Sequence, residues 1–144
     1  MPEDMTGPVE KLAQNLFISA PTPNQKAAIS AFDAIEELEA HCDRYTVNRD
    51  ILLNNLPESF IGNAAPCDGA FYLYCDISAL SDDSITFAAD LLNETGVATT
   101  PGVDFDPLNG HQYIRLSFAG ATEDVAEAAK RISDFVAKRL SSAA

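Results

Sequence analysis

In Val97 to Phe118, VATTPGVDFDPLNGHQYIRLSF, an alternating run follows a Pro-Gly loop, and this pairing leaves few folds open. Ile114, Leu116 and Phe118 alternate with Tyr113, Arg115 and Ser117. Successive side chains of a strand point to opposite faces, so the run is a strand with one wholly apolar side and an arginine on the other. The apolar side demands a core, and the guanidinium faces away from it.

Other segments supply partners and cover for that strand. Gly69 to Ile77 reads as a second strand, with Phe71, Leu73, Cys75 and Ile77 alternating with Ala70, Tyr72, Tyr74 and Asp76. Its aromatics read as core or interface packing. The β-branched residues after Gly96 predict a brief third strand before the loop. From Thr122 the final helix is the clearest: Val125, Ala128, Ala129, Ile132, Phe135, Val136 and Leu140 recur at helical spacing. Glu123 and Asp124 at its start and Lys138 and Arg139 at its end match the helix dipole, and the tail Ser141 to Ala144 is expected to fray. Ser81 is placed to cap a helix that opens with Asp82 and Asp83, buries Ile85, Ala88, Ala89 and Leu92, and stops at Gly96. Ile35, Leu38, Cys42, Tyr45, Leu52 and Leu56 predict a long amphipathic helix ending before Pro57, since proline disfavours helical geometry in its predecessor. Pro57 to Gly69 is turn-rich. Met1 to Gly7 is polar, Pro8 can open a short helix through Val9, Leu12, Ala13 and Leu16, and Ser19 to Asn24 is a proline-stiffened loop with a helix following from about Asn24. The sum is an α/β (α+β-like) fold: a small, mainly antiparallel sheet covered by helices, preceded by an N-terminal helical arm.

Composition narrows the functions. The 144 residues carry 22 acids against 9 bases, a net charge of -13, which repels phosphate backbones and anionic headgroups, so neither nucleic acid nor a membrane surface is an expected partner. No apolar run approaches the roughly 18 residues that cross a bilayer, and the acidic start MPEDMTGPVEK is unlike a signal peptide. Cys42, Cys67 and Cys75 are odd in number without metal-ligand spacing, which fits a reducing cytoplasm.

Few residues carry candidate chemistry. A planar fork of donors suits bidentate carboxylate binding better than a flexible ammonium does, which makes Arg115 a candidate; taken alone, the residue reads as a solvated strand arginine paired with one of the many acids, such as Asp104 or Asp106. His41 beside Cys42 and His111 in the loop form neither a metal pair nor a nucleophile-base set. Lys11, Lys26, Lys130 and Lys138 read as helix-surface lysines.

The pattern TPG-x-x-F followed by YIRLSFA resembles the C-terminal part of class I/II aminotransferases, the fold type I pyridoxal-phosphate enzymes, in the subgroup handling aspartate, alanine and aromatic amino acids. PEDMTGPVEKLAQNLFISAPTPNQKAA is similar to a family segment just beyond the cofactor lysine, which makes Met1 an internal position of a longer ancestor. SAPTPNQ resembles the end of the large domain near the dimer interface, Tyr45 to Asp50 the Y-x-x-x-R-D of the interdomain helix, and GAFY the first small-domain strand. The resemblance implies a remnant arm over residues 1–33 and a small domain, long helix included, over 34–144. It transfers to Arg115 the grip on the substrate's α-carboxylate, with an amino acid and a 2-oxo acid as the intact enzyme's substrates. The family's cofactor lysine lies in an S-K-x-x-x-M-x-G-x-R type motif, which no lysine here matches, so the chain alone is expected to bind no pyridoxal phosphate and to have no transaminase activity. Apolar faces that a large domain would cover predict a homo-oligomer. Two other functions compete: a stand-alone module for small carboxylates, and a self-associating structural domain.

Overall fold

The computed structural model describes residues 1–142. By backbone proximity the chain divides into two compact units, Met1–Ala40 and His41–Ala144. The first holds α1 (Glu3–Leu16), α2 (Thr22–Ala31) and the opening of α3 (Ile35–Asn55), and none of its residues is buried. α1 starts five residues before the expected Pro8: Glu3 and Asp4 suit the positive end of the helix dipole, and Pro8 is accommodated inside the helix.

The second unit continues with the rest of α3, α4 (Glu58–Ile61), β1 (Tyr72–Asp76), α5 (Ser84–Thr95), β2 (Thr100–Pro101), β3 (Tyr113–Ser117) and α6 (Thr122–Ser142). The three strands form one sheet in the order β1-β3-β2, antiparallel throughout. Leu73 faces Leu116, Cys75 faces Ile114, and Arg115 lies between Tyr74 on one side and Thr100 on the other. Pro101 can occupy β2 because an edge strand tolerates a missing N–H donor. The expected α/β (α+β-like) architecture is the one observed.

The core lies on one face of this sheet. Leu73, Cys75 and Ile77 of the first strand segment and Ile114, Leu116 and Phe118 of the last are almost wholly buried, against Phe87 and Leu91 of α5, Ile132, Phe135 and Val136 of α6, and Leu52 of α3. Phe87 and Phe135 meet edge to face, with ring centroids 5.5 Å apart, a geometry favoured by the aromatic quadrupole. α6 is also tied through polar groups at helix ends: Arg131 donates to the Thr95 carbonyl at 3.0 Å, and Ser133 Oγ to that of Asn55 at 2.9 Å.

Several expectations about individual elements are corrected. α5 begins at Ser84 with Asp83, not Ser81, as its cap; the Asp83 carboxylate accepts from the N–H groups of Ile85 and Thr86, while Ser81 Oγ accepts from the Asp83 N–H. Its buried stripe is Ser84, Phe87, Ala88 and Leu91, one position out of phase with the expected one, which leaves Ile85 and Leu92 exposed. Ile35 and Leu38 of α3 are exposed, and the buried part of that helix is Asn48 with Leu52. The turn-rich stretch after Pro57 contains the single turn α4, which buries Phe60 completely. Ser141 and Ser142 are helical, each hydroxyl donating to the Lys138 carbonyl, whereas Ala143 and Ala144 of the expected frayed tail lie outside the described residues.

Candidate functional site

Arg115 sits at the centre of β3, half-buried, on the face of the sheet turned away from the core. The register surrounds it with aromatics. Its Cζ lies 4.2 Å from the centroid of the Tyr72 ring and 4.2 Å from that of Phe105, over both rings. Beside it, Tyr74 and Tyr113 stack nearly parallel, interplanar angle 4° and centroids 4.9 Å apart. The Tyr74 hydroxyl is buried without a hydrogen-bond partner, and desolvation raises its pKa above the ordinary phenol value.

The loop that delivers Phe105 is closed at its base by a backbone crossing. A Cβ on Gly102 would come within 2.6 Å of the Gly110 carbonyl and 2.7 Å of that of Tyr113, and one on Gly110 within 2.4 Å of the Gly102 backbone. Only glycine fits at either position, which explains the TPG and NG of the sequence. Inside the loop the N–H groups of Phe105 and Asp106 both reach the Gly102 carbonyl at 2.9 Å, and the Asp106 carboxylate accepts from Leu108 and Asn109 N–H groups at 2.9 and 3.1 Å. Those backbone bonds hold the Asp106 carboxyl below its usual pKa.

Asp106 is thus committed to its own turn. Among the described residues Arg115 forms no ion pair with Asp106, Asp104 or any other acid, which sets aside the alternative of a paired strand arginine. Arg49 behaves differently: its Nε and Nη2 both reach Asp50 Oδ1, at 3.0 and 2.8 Å, beside a cleft of about 290 Å³ also lined by Cys42, Cys67 and Phe118. Arg115 is a cation held ready in an aromatic setting, while Arg49 already has its carboxylate.

The remaining candidates stay apart from this arrangement. His41 is half-buried on α3, near Tyr45 and Arg44, and His111 is exposed at the end of the loop. No group of three or more His, Cys, Asp or Glu among the described residues is placed to hold a metal ion, and no described helix is long and apolar enough to cross a membrane. Tyr72 and Phe105 are the site residues that sequence reasoning missed. Tyr72 shares the non-core face with Arg115 by alternation, but the contact depends on a register that places it diagonally across from the arginine.

Fold and site together define a small α/β domain that presents, on the face of a three-stranded antiparallel sheet turned away from the core, an arginine set between two aromatic rings and without an acid partner among the described residues. The chain belongs to the aminotransferase class I and II family, whose family model matches residues 8–132. It is 42% identical over 130 residues to valine–pyruvate aminotransferase of Mycobacterium tuberculosis, a match covering 89% of this chain and 34% of that protein. A (5-formylfuran-3-yl)methyl phosphate transaminase of Methanocaldococcus jannaschii is 38% identical over the same shares. The crystal structure of an aminotransferase from Mycobacterium tuberculosis superimposes with a TM-score of 0.85 at 40% identity, covering 96% of this chain and 36% of that one. The chain spans about a third of the length of the curated relatives it matches.

The family implies pyridoxal phosphate, and the residues present do not fit it. A Schiff-base lysine works from a desolvated or cation-flanked position. Here Lys11 and Lys26 are exposed on α1 and α2, and Lys130 and Lys138 are exposed on α6, which covers the core face of the sheet and not the Arg115 face.

Proposed function

We propose that the chain is the C-terminal portion of a pyridoxal-phosphate aminotransferase and supplies its substrate-carboxylate ligand, Arg115. The intact enzyme would exchange an amino group between an α-amino acid and a 2-oxo acid. Residues 34–144 would form its small domain with the long interdomain helix, and residues 1–33 the end of its large domain. The observation that carries this reading is a half-buried guanidinium on the open sheet face, free of any acid partner among the described residues. A buried or half-buried cation is costly to leave unpaired, so a site that keeps one without an acid of its own is suited to an anion from outside. A planar carboxylate matches the fork in two places at once, which would orient the substrate's α-carbon for reaction.

By itself the chain would bind no pyridoxal phosphate and have no transaminase activity, because none of its lysines has the setting of a Schiff base. Its free thiols favour a cytoplasmic setting. Its exposed apolar side chains, among them Leu12, Leu16, Ile29 and Phe32, would support homo-oligomers. A second reading, a stand-alone binder of small carboxylates, is favoured by one fact: Arg115, Tyr72 and Phe105 all lie within the unit His41–Ala144.

Absorbance spectroscopy with added pyridoxal phosphate should show no Schiff-base band, and the appearance of one would contradict the assigned division of labour. Calorimetry with succinate and with amino acids, on the native chain and on Arg115→Ala, tests the arginine. Heat from the native chain alone supports the role; equal heat from both forms removes it. Size-exclusion over a range of concentrations tests self-association, which a constant monomer would refute.

A further inference from the structure

Among the described residues Arg115 has no acid to hold it in place, yet it is set between two aromatic rings on different elements. Tyr72 comes from β1, and Phe105 from the loop closed by the Gly102–Gly110 crossing. We infer that Tyr72 and Phe105 are positioning residues: they fix the guanidinium of Arg115 so that its donor edge is presented to a carboxylate. The inference rests on the proposed role of Arg115 and adds the means by which that role is prepared.

A guanidinium carries all five of its N–H donors in one plane. Aromatic faces attract the cation through the ring quadrupole when it lies within about 6 Å of the centroid, and they compete poorly for in-plane donors. Both centroids here are 4.2 Å from Cζ, well inside that range. An acid partner would fix the arginine equally well but would occupy the donors that a carboxylate ligand needs, as Asp50 occupies those of Arg49. Two rings hold the cation while leaving its hydrogen-bonding capacity unspent. Less rotational freedom then has to be lost when the ligand binds.

Phe105 has no evident second task. The residue is 51% exposed and takes no part in the core, although an exposed phenyl ring gains nothing from water. The loop nonetheless holds it by the Phe105 N–H to the Gly102 carbonyl, the Asp106 N–H to the same carbonyl, and the Gly110 N–H to the Asp106 carbonyl at 3.0 Å. That much local bonding around one solvent-facing ring makes sense if the ring's place over Arg115 is what the loop preserves. Tyr72 contributes from the opposite end of the β1–β3 ladder, paired with Ser117 and therefore two residues along from the position directly across from Arg115. Its own plane is buttressed by Phe71, centroids 4.3 Å apart.

The experiment uses the full chain and nuclear magnetic resonance of the Arg115 side chain, with sodium propionate as the probe. In the native chain the Arg115 δ-methylene and Nε–H signals should lie upfield of their free positions through the ring currents. Phe105→Leu and Tyr72→Leu should each move them back and weaken propionate binding about three- to fivefold, the scale of one cation–aromatic contact. Tyr72→Phe keeps the ring and should behave as native in both respects. Unshifted Arg115 signals in the native chain would overturn the inference. So would propionate binding unchanged in Phe105→Leu and Tyr72→Leu but lost in Arg115→Lys, an outcome that keeps Arg115 as the ligand and removes the aromatic role. If the native chain leaves the Arg115 signals unmoved at any propionate concentration, the carboxylate role itself fails, and the positioning role with it.

Discussion

Asn48 is the polar residue on which the strand carrying Arg115 depends. It lies on α3 with no exposed surface, and its Nδ2 donates to the carbonyls of Phe118 at 2.9 Å and Gly120 at 3.1 Å, directly after β3. Truncation in Asn48→Ala strands both carbonyls. An unsatisfied buried polar group costs about 1–3 kcal/mol, with the lower end appropriate to the part-buried Gly120. Against this, Asn48 Oδ1 is itself buried without a partner, so its removal returns about 1 kcal/mol. The net loss should be about 2 kcal/mol, and the unfolding midpoint should fall by about 8 °C for a unit of this size. Asn48→Asp should do worse, by more than about 3 kcal/mol, because it keeps an acceptor, loses both donors and buries a charge facing two carbonyl oxygens. Thermal unfolding followed by circular dichroism, with urea titration as a second measure, reads both variants. Asn48→Ala within about 0.5 kcal/mol of native, or Asn48→Asp more stable than Asn48→Ala, would refute the reasoning.

Three other outcomes follow from the same packing. Burial pushes the Cys75 thiol up to about 12, so Cys75 should stay unreactive to a thiol reagent at pH 8 while exposed Cys42 reacts at once; rapid labelling of Cys75 in the native state would contradict its place under the sheet. The carboxyls of Asp83 and Asp106 are held below their usual pKa, chiefly by Thr86 and by the Asn109 and Leu108 N–H groups respectively. Their stabilisation is therefore fully present above the ordinary carboxylate range and is lost as pH falls through the depressed folded values, so acid unfolding should begin below about pH 4, and Asp83→Asn should flatten that acid limb; an unchanged profile counts against the cap. Gly102→Ala should destabilise by about 1–3 kcal/mol, since the added methyl meets backbone on two sides, and should release Phe105 from Arg115 in the resonance experiment; a native-like spectrum would mean the crossing is not the brace described.

What the sequence made legible was whatever periodicity controls. The alternation in Tyr113 to Phe118 and in Leu73 to Ile77 placed both long strands and their buried faces, and with them the side on which Arg115 emerges, whereas Phe71, expected on the same buried face, is exposed just before β1. The stripe Val125, Ala128, Ala129, Ile132, Phe135, Val136 and Leu140 placed α6, although Ala128 is only partly buried and Leu140 is exposed, and Gly96, with φ of 75°, marks the end of α5 as its position suggested. The misses share a cause. In α5 the small residues Ala88 and Ala89 fit two adjacent phases, and only packing against Phe135 selects the one that buries Phe87. Asn48 interrupts the apolar pattern of α3, so pattern alone passes over it; its importance comes from two carbonyls about 70 residues away. The same holds for Tyr72 and Phe105, whose link to Arg115 needs strand register and a loop closure that no local rule supplies. Arg115 was legible as a candidate through its strand and its resemblance, but its freedom from Asp104 and Asp106 was not, because that depends on Asp106 turning back onto Leu108 and Asn109.

The claim most exposed to test is that Arg115 receives a carboxylate. Crystals of the full chain grown in saturating succinate should show a carboxylate in the plane of the Arg115 guanidinium, both oxygens about 2.7–2.9 Å from its nitrogens, with Tyr72 and Phe105 unmoved. Density for the anion elsewhere, in the cleft beside Arg49 for example, or a bare Arg115 at saturation, would contradict it.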